Sequence, residues 1–543
     1  MQPTIPTPDE LQSLLLERLN ISKGEQKSFL FPEYKFGNLW DFEDMEIAVE
    51  RIYKAIKNGE QIGIYADYDC DGIPGAVVLL DLFKELKYTD NLHIYIPDRH
   101  DEGYGLSSVG IDALEQKKVS LIITVDLGIT ALAEVADARS RNIDVIVTDH
   151  HAPLAEYPSA FAVVHPKKGN YINQDPCGAG MAFYLVCAFL EKHREEFGVK
   201  EGWEKWLLDL VGFATLSDMV PLLGENRMLA SYGMMVMKKT RRVGLRELFT
   251  EQRMDPEMLT ETDLTFTVAP RLNAASRMAS PIFAFELLST DDPGRALVLV
   301  KELEKINDER KLLVARIVKE AHKKLEAREL PPIVVLGDLS WRPAVLGLVA
   351  TKLQETYQRS FFVWGESGDG LIKGSCRMLD EHHAAYLFQA LPEGVLIHGG
   401  GHQAAGGFAV LKEKIHFLEE ELNRALGVVD HQKEERVRSV IEMPLGITTV
   451  RHLQKLRTLA PFGVGNPQPL FLFEQVEVMS TKAFGKNKEH LECTIKDITG
   501  QAVAFTFFVD EETKERFIPG ATLSFIGALE AGWRGGVRVK IQK

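Results

Sequence analysis

Cysteine is scarce in this chain, and its few cysteines are scattered. The 543 residues include only Cys70, Cys177, Cys187, Cys376 and Cys493, and no two of them form a CxxC pair. Neither a disulfide framework nor a thiolate zinc site is therefore indicated. We expect all five to be reduced residues with ordinary packing roles.

Long hydrophobic runs are also lacking. Charged residues interrupt every apolar stretch well before the roughly 18 residues that a membrane-spanning helix needs. The first residues, MQPTIPTPDELQ, have neither a basic flank nor an apolar signal core. The sequence therefore predicts a cytoplasmic protein that does not associate with membranes and is long enough for three or four domains.

An overall excess of basic residues, the usual footprint of phosphate binding, is missing as well. The net charge is −15. Residues 436–543 nevertheless carry 15 Lys and Arg against 11 Asp and Glu, a balance of +4, which leaves −19 for residues 1–435. The C-terminal part is basic relative to the rest, but this excess alone does not establish nucleic-acid binding.

Apolar runs and helical stretches alternate along the N-terminal half. The runs QIGIYAD, NLHIYIP, SLIITVD and NIDVIVTD are spaced like the strands of parallel βαβ units. A mostly helical region follows from about 203 to 325, with one long helix over residues 296–330. A second α/β rhythm begins at PPIVVLG, and closely spaced strands with almost no helix predict a small C-terminal barrel.

Acidic residues follow the strands of the first predicted sheet. Asp67, Asp69 and Asp71 alternate after the first strand, Asp126 follows the third, and Asp149 follows the fourth. Because ligands bind at the carboxyl ends of parallel strands, we expect these side chains to converge. Divalent cations would remove their mutual repulsion. Carboxylates with the imidazoles of the adjacent TDHH segment favour two Mn²⁺ or Mg²⁺ ions, an arrangement used in phosphoester hydrolysis.

A structural explanation stays open for each of these residues taken singly. An Asp at a strand end commonly caps the next helix or forms a turn, and His150 and His151 could lie in a solvated turn. The recurrence of the pattern at the ends of three strands favours the metal site.

Four motifs stand in the order typical of the DHH phosphoesterase superfamily, which the chain resembles. They are DYDCDG, VDLG, TDHH and LSDMVPL. Further segments resemble those of the superfamily's bacterial exonucleases, which degrade single-stranded DNA from the 5′ end. These are FLFPEY, IPDRHDEGYGL, APRLNAASRM, GSCR, GHQAAGGF and LAPFGVGNPQPLF, so the resemblance covers nearly the whole chain.

The resemblance implies a fold of the α/β class with several units. We expect a parallel-sheet DHH domain, a helical connector, a second α/β DHH-associated domain that binds substrate, and an all-β OB-type barrel that binds nucleic acid. The expected boundaries, after an N-terminal segment at 1–45, are 46–240, 241–328, 329–425 and 436–543.

The resemblance also assigns roles at the expected metal site. It implies that two Mn²⁺ or Mg²⁺ ions are bound by Asp69, Asp71, Asp126, His150 and Asp218, with Asp126 bridging them. Asp67 and Asp149 would orient these ligands, although either could also touch a metal directly. His151 would contact the scissile phosphate.

Residues that grip the strand are implied in the other units. Ser375, Arg377, Gly401 and His402 belong to the second α/β domain, while Arg99, Arg271 and Arg277 are candidates for holding the 5′ end. A glycine-rich turn and surface ion pairs are the structural alternatives for these residues. Three positions depart from the usual pattern: Arg342 replaces His, Ser276 replaces Gly, and Ala66 stands where Gly is common.

Aromatic residues of the barrel are candidates for base stacking. Phe484 lies among Lys482, Lys486 and Lys488, and Trp533 lies beside Arg534 and near Arg538. The alternative is that Phe484 belongs to the barrel core and the lysines form a solvated hairpin tip.

The leading hypothesis is a metal-dependent exonuclease that degrades single-stranded DNA 5′ to 3′ to mononucleotides, in repair and recombination. Its polarity comes from the resemblance alone. A phosphodiesterase acting on short oligoribonucleotides or cyclic dinucleotides remains an alternative, as does a non-catalytic single-strand-binding relative. The expected protein is a monomer, with a single-strand-binding protein and a repair helicase as partners.

Overall fold

The computed structural model describes residues 4–99, 101–326, 328–367, 370–379, 382–401, 404–427, 440–485, 488–507, 509, 511–532 and 535–542. Its strands form three separate sheets. Helices flank two of these sheets, and the third closes on itself near the C-terminus. The order of architectures predicted from the sequence is therefore confirmed: an α/β unit, a helical connector, a second α/β unit and a barrel.

Parallel strands make up the first sheet, in the spatial order β2-β1-β3-β4-β5. They are β1 (Gln61–Ala66), β2 (Leu92–Tyr95), β3 (Val119–Val125), β4 (Asp144–Thr148) and β5 (Ala162–Val164). Helices cover both faces, which is why β1 and β3 are mostly apolar and buried. The strand order reverses between β1 and β3, so the crevice at their carboxyl ends is the usual ligand position of such a sheet.

The helices of this first unit pack with the sheet in two apolar clusters: Ser108–Gln116 and Leu132–Ser140 lie in the smaller one, and the others lie in the larger. These helices are Met45–Asn58, Gly72–Glu85, Ser108–Gln116, Leu132–Ser140, Gly178–Phe197, Leu208–Ser217 and Gly224–Met237. Gly75 allows the second and fifth of these helices to approach each other closely. A Cβ at Gly75 would lie 2.5 Å from Val125 Cγ1 and 3.1 Å from Ala179 Cα.

A helical connector joins the two α/β units. It consists of Val243–Glu251, a π-helical turn at Leu264–Val268, Ala269–Met278, Ile282–Ser289 and Pro293–Leu325. The last helix is the long one predicted over residues 296–330; it begins at an Asp292 N-cap with Pro293 in its first turn. Its first half contributes Leu303 to the core of the first unit, and its second half contributes Ile317 to that of the second.

The second sheet has the order β6-β7-β8-β10-β9, parallel between β6 and β7 and antiparallel elsewhere. Its strands are β6 (Ile333–Gly337), β7 (Ser360–Glu366), β8 (Ile372–Arg377), β9 (His398–Gly401) and β10 (Ala405–Val410). The helices Leu346–Tyr357, Ala384–Ala390 and Leu418–Leu426 pack on it.

The third sheet is the barrel. Its strands are β11 (Ile441–Glu442), β12 (Phe471–Phe484), β13 (His490–Lys496), β14 (Gln501–Thr506), β15 (Thr522–Ala531) and β16 (Val537–Ile541). They follow the order β11-β12-β13-β14-β16-β15, and pairing of β12 with β15 closes the barrel. Two short helices, Val450–Arg457 and Glu511–Arg516, lie between the strands, in a region where the sequence predicted almost no helix.

The N-terminal segment packs on the barrel rather than standing alone. Its helices, Pro8–Arg18 and Gln26–Leu30, bury Leu15 and Phe29 in the same apolar cluster as barrel residues such as Phe471. The two ends of the chain thus share one core.

Candidate metal centre and strand-binding surface

Acidic side chains converge at the carboxyl ends of β1, β3 and β4. The backbone N–H of Asp67, directly after β1, donates to Val125 O at 3.1 Å. The N–H of Asp126, directly after β3, donates to Thr148 O at 3.0 Å. These bonds continue the sheet by one residue and hold both carboxylates at its edge.

Three groups of side chains at this edge have ligand atoms within 4.8 Å of one another. The groups are Asp67, Asp69 and Asp126; Asp71, His150 and Asp218; and Asp126, His150 and His151. Nε2 of His150 lies 3.1 Å from Asp126 Oδ1. The same nitrogen lies 3.7 Å from Oδ2 of Asp71 and 3.7 Å from Oδ2 of Asp218. The structure therefore brings together every residue that the sequence analysis named as a metal ligand.

Backbone donors fix the loop after β1. Oδ1 of Asp69 accepts hydrogen bonds from the N–H groups of Asp71 (2.8 Å) and Gly72 (3.1 Å). Asp71 in turn accepts from the first turn of the helix Gly178–Phe197, through Gly178 N–H (2.5 Å) and Ala179 N–H (2.7 Å). A helix N-terminus stabilises a carboxylate, so this helix holds Asp71 in place.

Glycine at position 178 is required by the Asp126 side chain. A Cβ on Gly178 would lie 2.4 Å from Asp126 Cβ and 2.7 Å from its Oδ1. Asp126 itself has a left-handed backbone, with φ of 61°. The sequence analysis did not identify Gly178, because nothing in the local sequence links it to an aspartate 52 residues earlier.

The site is electrostatically unfavourable without a cation. Burial, reinforced by the charges of neighbouring carboxylates, raises the pKa of four acids, namely Asp67, Asp71, Asp126 and Asp218. For Asp71 the pKa rises to about 7, although the backbone donors at Gly178 and Ala179 lower it.

Two buried oxygens lack donors. Oδ1 of Asp67 and Oδ1 of Asp126 accept no hydrogen bond within the described residues. A buried anionic oxygen without a donor is costly, and a bound cation removes that cost. Clustered carboxylates with one or two imidazoles suit Mn²⁺ or Mg²⁺ better than soft metals. The residues present therefore fit the predicted pair of ions.

Asp149 holds the TDHH turn in place through hydrogen bonds that its carboxylate accepts. Its Oδ1 accepts from the N–H groups of His150 (2.7 Å) and His151 (3.1 Å), and its Oδ2 accepts from Ile129 N–H (2.9 Å). Nδ1 of His151 lies 2.8 Å from the same Oδ1. Burial opposes the charge of Asp149, but its contact with His151 outweighs this and lowers its pKa to about 2. Burial likewise opposes protonation of His151, whose pKa Asp149 raises to about 9.

Tyr104 is a neighbour of the centre that the sequence analysis missed. Its hydroxyl donates to Asp126 O at 3.1 Å and lies 3.2 Å from His151 Nδ1, while half of the residue is exposed. It belongs to the segment IPDRHDEGYGL, from which only Arg99 was selected. The resemblance of that segment to the family was the one feature of the sequence that could have pointed to Tyr104.

Several arginines lie together between the first two units. Arg277, on the connector helix Ala269–Met278, donates to Ala344 O of the second unit at 2.7 Å. Its pKa falls to about 9, because it is buried and close to Arg99, Arg310 and Arg377. The guanidinium of Arg99 lies 4.9 Å from the centre of the Tyr68 ring. We name these four residues the arginine cluster; Arg310 was not predicted.

Arg271 does not belong to the arginine cluster. It forms an ion pair with Glu304 and donates to Thr267 O (2.6 Å) and to Gln252 Oε1. Its guanidinium nitrogens are thus engaged inside the connector, and the geometry gives no support to the predicted contact with the 5′ end.

The predicted binding residues of the second unit lie on adjacent strands. Ser375 and Arg377 end β8, where they pair with Gly407 and Ala405 of β10. A Cβ at Gly347 would lie 3.3 Å from Arg377 Nη2, so the start of the helix Leu346–Tyr357 faces these side chains.

Gly401 ends β9 and is surrounded by backbone. A Cβ there would lie 2.4 Å from Ala405 O, so the strand pairing itself requires glycine. His402 lies outside the described residues.

Aromatic side chains cluster on the barrel. Phe484 packs edge-on against His490 at 5.0 Å between ring centres, and Phe507 lies 5.1 Å from His490. Phe507 is 38% exposed, so the cluster reaches the surface. The guanidinium of Arg538 covers the neighbouring Phe505 ring at 4.0 Å. Trp533, Arg534 and Lys486 lie outside the described residues.

The three departures from the usual pattern are accommodated in the structure. Ser276 is buried, with its hydroxyl donating to Asn273 O at 3.3 Å. Arg342 Nη2 donates to Met278 O at 3.5 Å. Ala66 is buried at the end of β1.

A sheet with an aspartate cluster and a DHH turn at its switch point defines a phosphoesterase of the DHH class. Residues 61–215 match the model of the DHH family, N-terminal domain, and residues 441–542 match that of the RecJ OB domain.

Curated relatives are RecJ proteins named as single-stranded-DNA-specific exonucleases. The chain is 33% identical to the Bacillus subtilis protein over 95% of its own length, but spans only 65% of that longer relative. It is 30% identical to the Haemophilus influenzae protein and 31% to the Escherichia coli protein. The matched regions cover 88% and 86% of this chain, and 85% and 84% of those proteins, respectively. The chain therefore belongs to the RecJ family.

Solved structures agree with this assignment. Thermus thermophilus RecJ in complex with Mn²⁺ superposes with a TM-score of 0.80 at 26% identity, covering 98% of this chain and 75% of that one. The Mg²⁺ complex of the same protein gives a TM-score of 0.74 at 25% identity, covering 98% and 73%. Among the described residues of this chain, no helix has the length and apolar character needed to cross a membrane.

Proposed function

We propose that this chain is a two-metal exonuclease that hydrolyses single-stranded DNA from its 5′ end to mononucleotides. The observation that carries the proposal is the meeting of buried carboxylates and His150 at the switch point of the first sheet. The names of the relatives support the substrate class, single-stranded DNA, and the 5′ polarity is carried over from the sequence resemblance. The arginine cluster and the barrel provide surfaces on which a strand can lie.

We assign the metal ligands from the donor groups. Asp67, Asp69 and Asp126 would hold one Mn²⁺ or Mg²⁺ ion, and Asp71, His150 and Asp218 would hold the other. Asp126 is the bridging candidate, because its Oδ1 also lies 3.1 Å from His150 Nε2 in the second group. When bound, the ions supply Lewis-acid activation of water and of the phosphate.

The protein's own residues then position the phosphate. His151 is held by Asp149, so its ring is positioned to offer a hydrogen-bond donor to a phosphate oxygen. The Tyr104 hydroxyl contacts the same ring nitrogen, Nδ1, that faces Asp149. These contacts fit the predicted role of His151 at the scissile phosphate.

The arginine cluster is the proposed grip on the 5′ end. Arg99 and Arg377 lie close enough to Arg277 for their charges to lower its pKa, and Ser375 lies beside Arg377. Cations this close repel one another, and an anionic phosphate relieves that repulsion. Phe484 and the neighbouring aromatics of the barrel would stack on bases farther along the strand.

We further propose that the enzyme acts as a monomer in the cytoplasm. All of the proposed ligands come from one chain, so the centre is complete without a second copy. A single-strand exonuclease needs unwound DNA, which makes a repair helicase and a single-strand-binding protein the expected partners.

The test uses matched single strands labelled at the 5′ or the 3′ end, incubated with the full chain and Mn²⁺. We expect the 5′ label to appear first, as a mononucleotide, with Asp126→Asn as the inactive control. Early release of the 3′ label would contradict the polarity. Preference for a dinucleotide in competition with a long strand would favour the phosphodiesterase. Binding without hydrolysis would favour the non-catalytic relative.

A further inference from the structure

Arg227 is fully buried and bonds to carbonyl groups of two distant segments. Its Nε donates to Phe29 O at 2.6 Å, and its Nη2 donates to Leu459 O (2.9 Å) and Ala460 O (3.1 Å). Its guanidinium also lies 3.7 Å from the centre of the Phe29 ring. It forms no ion pair within the described residues, although a buried cation is normally retained only with such a partner. Burial lowers its pKa to about 10, and the charge of Glu261 offsets part of this.

The carbonyls of Leu459 and Ala460 belong to a loop that joins the barrel to the first unit. We name residues 459–466 the docking loop. Asn466, which is fully buried, donates from Nδ2 to Leu459 O (2.7 Å) and Pro461 O (2.8 Å) and so closes the loop on itself. Arg227 supplies the link from this closed loop to the first unit.

The docking loop lies directly on the segment that follows Asp218. Leu222 N–H donates to Val464 O at 2.8 Å. A Cβ on Gly463 would lie 2.8 Å from Leu222 Cδ1, which shows how closely the two segments pack. Arg227 lies in the first turn of the helix Gly224–Met237, five residues after Leu222, so it and the Leu222 hydrogen bond fasten the same loop from nearby positions.

The intervening backbone carries strain. Asp218 ends the helix Leu208–Ser217, and Met219 has a left-handed φ of 61°. Such a conformation in a residue other than glycine persists only where the surroundings hold both sides. The helix holds Asp218 on one side, through Asp218 N–H to Ala214 O at 2.8 Å. The docking loop holds the other side at Leu222.

We infer that Arg227 is a positioning residue: by fastening the docking loop against residues 219–223, it sets the position of Asp218 in the metal centre and couples that centre to the barrel. The inference rests on the proposed role of Asp218 as a metal ligand. A strand bound to the barrel would thereby act on the geometry of the ions as well as on affinity.

The test compares Arg227→Met with Arg18→Met in the full chain. Arg18 also joins the N-terminal segment to a barrel carbonyl, Val440 O (3.3 Å), but its bond is made at the start of the barrel and not at the docking loop. In R227M the carbonyls of Leu459 and Pro461 keep their Asn466 donor, so the docking loop retains its internal bonds. Two readouts do not depend on nuclease activity: hydrogen exchange of the Leu222 amide and Mn²⁺ affinity by titration calorimetry.

We expect R227M to exchange Leu222 at least about tenfold faster and to bind Mn²⁺ about tenfold more weakly, the usual range for residues that support metal ligands. R18M should leave both values unchanged. The inference is overturned if R227M only lowers the melting temperature, with Leu222 exchange and Mn²⁺ affinity equal to those of R18M. Because neither readout requires cleavage, a failure of the nuclease proposal is distinguishable from a failure of this one.

A second pair of variants tests the same contact by changing the docking loop instead of Arg227. Gly463→Ala places a methyl group against Leu222, whereas Gly500→Ala places one in open space on the same barrel. We expect G463A to accelerate Leu222 exchange and weaken Mn²⁺ binding, and G500A to do neither. Equal behaviour of the two variants would contradict the role of the docking loop.

Discussion

Gly178 lies directly against the Asp126 side chain and leaves no room for a methyl group. The two residues come from different elements, a helix N-terminus and the end of β3. Their contact joins the backbone donors of Asp71 to the proposed bridging ligand. The position of the helix Gly178–Phe197 therefore determines the positions of two proposed ligands, Asp71 and Asp126.

We predict that Gly178→Ala displaces Asp126 and reduces kcat about 100-fold, the loss typical of a misplacement of about 1 Å in an active site. The measurement is steady-state cleavage of a labelled single strand at saturating Mn²⁺. Gly180→Ala is the matched control, because its Cβ would make only ordinary contacts, the nearest of them with Cys177 Sγ at 3.5 Å. Full activity of G178A would show that the position of Asp126 is unimportant.

Asp126→Asn should reduce cleavage at least about 100-fold at any Mn²⁺ concentration, because it removes the charge of the proposed bridge. Asparagine tolerates the left-handed backbone, so the loop should persist. Strand binding, measured by fluorescence anisotropy, should be unchanged, since the barrel and the arginine cluster remain. Asp112→Asn, at an exposed ion pair with Arg141, controls for the loss of one charge. Near-normal turnover in D126N would remove Asp126 from the centre.

The melting temperature of D126N relative to the wild type should depend on whether metal is bound. The carboxylates repel one another when no cation is bound, so we expect chelator-treated D126N to melt at a higher temperature than chelator-treated wild type. Saturating Mn²⁺ should reverse the order, because binding at about 100 times Kd stabilises the wild type by about 2.7 kcal/mol. Differential scanning calorimetry with and without Mn²⁺ measures both. A lower melting temperature for metal-free D126N would argue that these acids do not repel.

Stabilisation by Mn²⁺ should grow with pH. The pKa of Asp71 is about 7 in the fold and near 3.8 otherwise, so the metal-free folded state binds more protons than the unfolded state between these values. The contribution of Asp71 to the stability of the metal-free protein is therefore present at about pH 4 and is lost as the pH rises to about 7. Bound Mn²⁺ replaces the proton. Urea midpoints with and without Mn²⁺ should differ more at pH 7.5 than at pH 5, and an equal difference would contradict the raised pKa.

Substitution of Arg377 should affect substrate binding, whereas substitution of Arg271 should affect only stability. Arg377→Gln should raise KM for a 5′-phosphorylated strand about tenfold or more, with a smaller change in kcat, because it removes a charged phosphate contact. Arg271→Gln should lower the melting temperature and leave KM unchanged, since Arg271 is engaged by Glu304. Kinetics on the two purified variants decide the matter. A raised KM for R271Q would restore its predicted contact with the 5′ end.

The acids of the centre could be predicted because one physical rule joins them. Parallel strands end at one edge of the sheet, so Asp67, Asp126 and Asp149, which follow three neighbouring strands, had to approach one another there. Asp218 follows a helix, and only the family resemblance linked it to them.

Contacts made by packing alone could not be predicted in this way. Gly178, Tyr104 and Arg310 reach the site from segments whose local patterns are those of ordinary helices and loops. The N-terminal helices show the same limit: the apolar face of Pro8–Arg18 is visible in the sequence, but its partner, the barrel, lies more than 400 residues away.

The most direct test of the account is anomalous diffraction at the manganese edge from crystals of the full chain grown with Mn²⁺. We predict two peaks, one among Asp67, Asp69 and Asp126 and one among Asp71, His150 and Asp218, with Asp126 in contact with both. Peaks elsewhere, or a single ion that does not touch Asp126, would contradict the proposed two-metal centre.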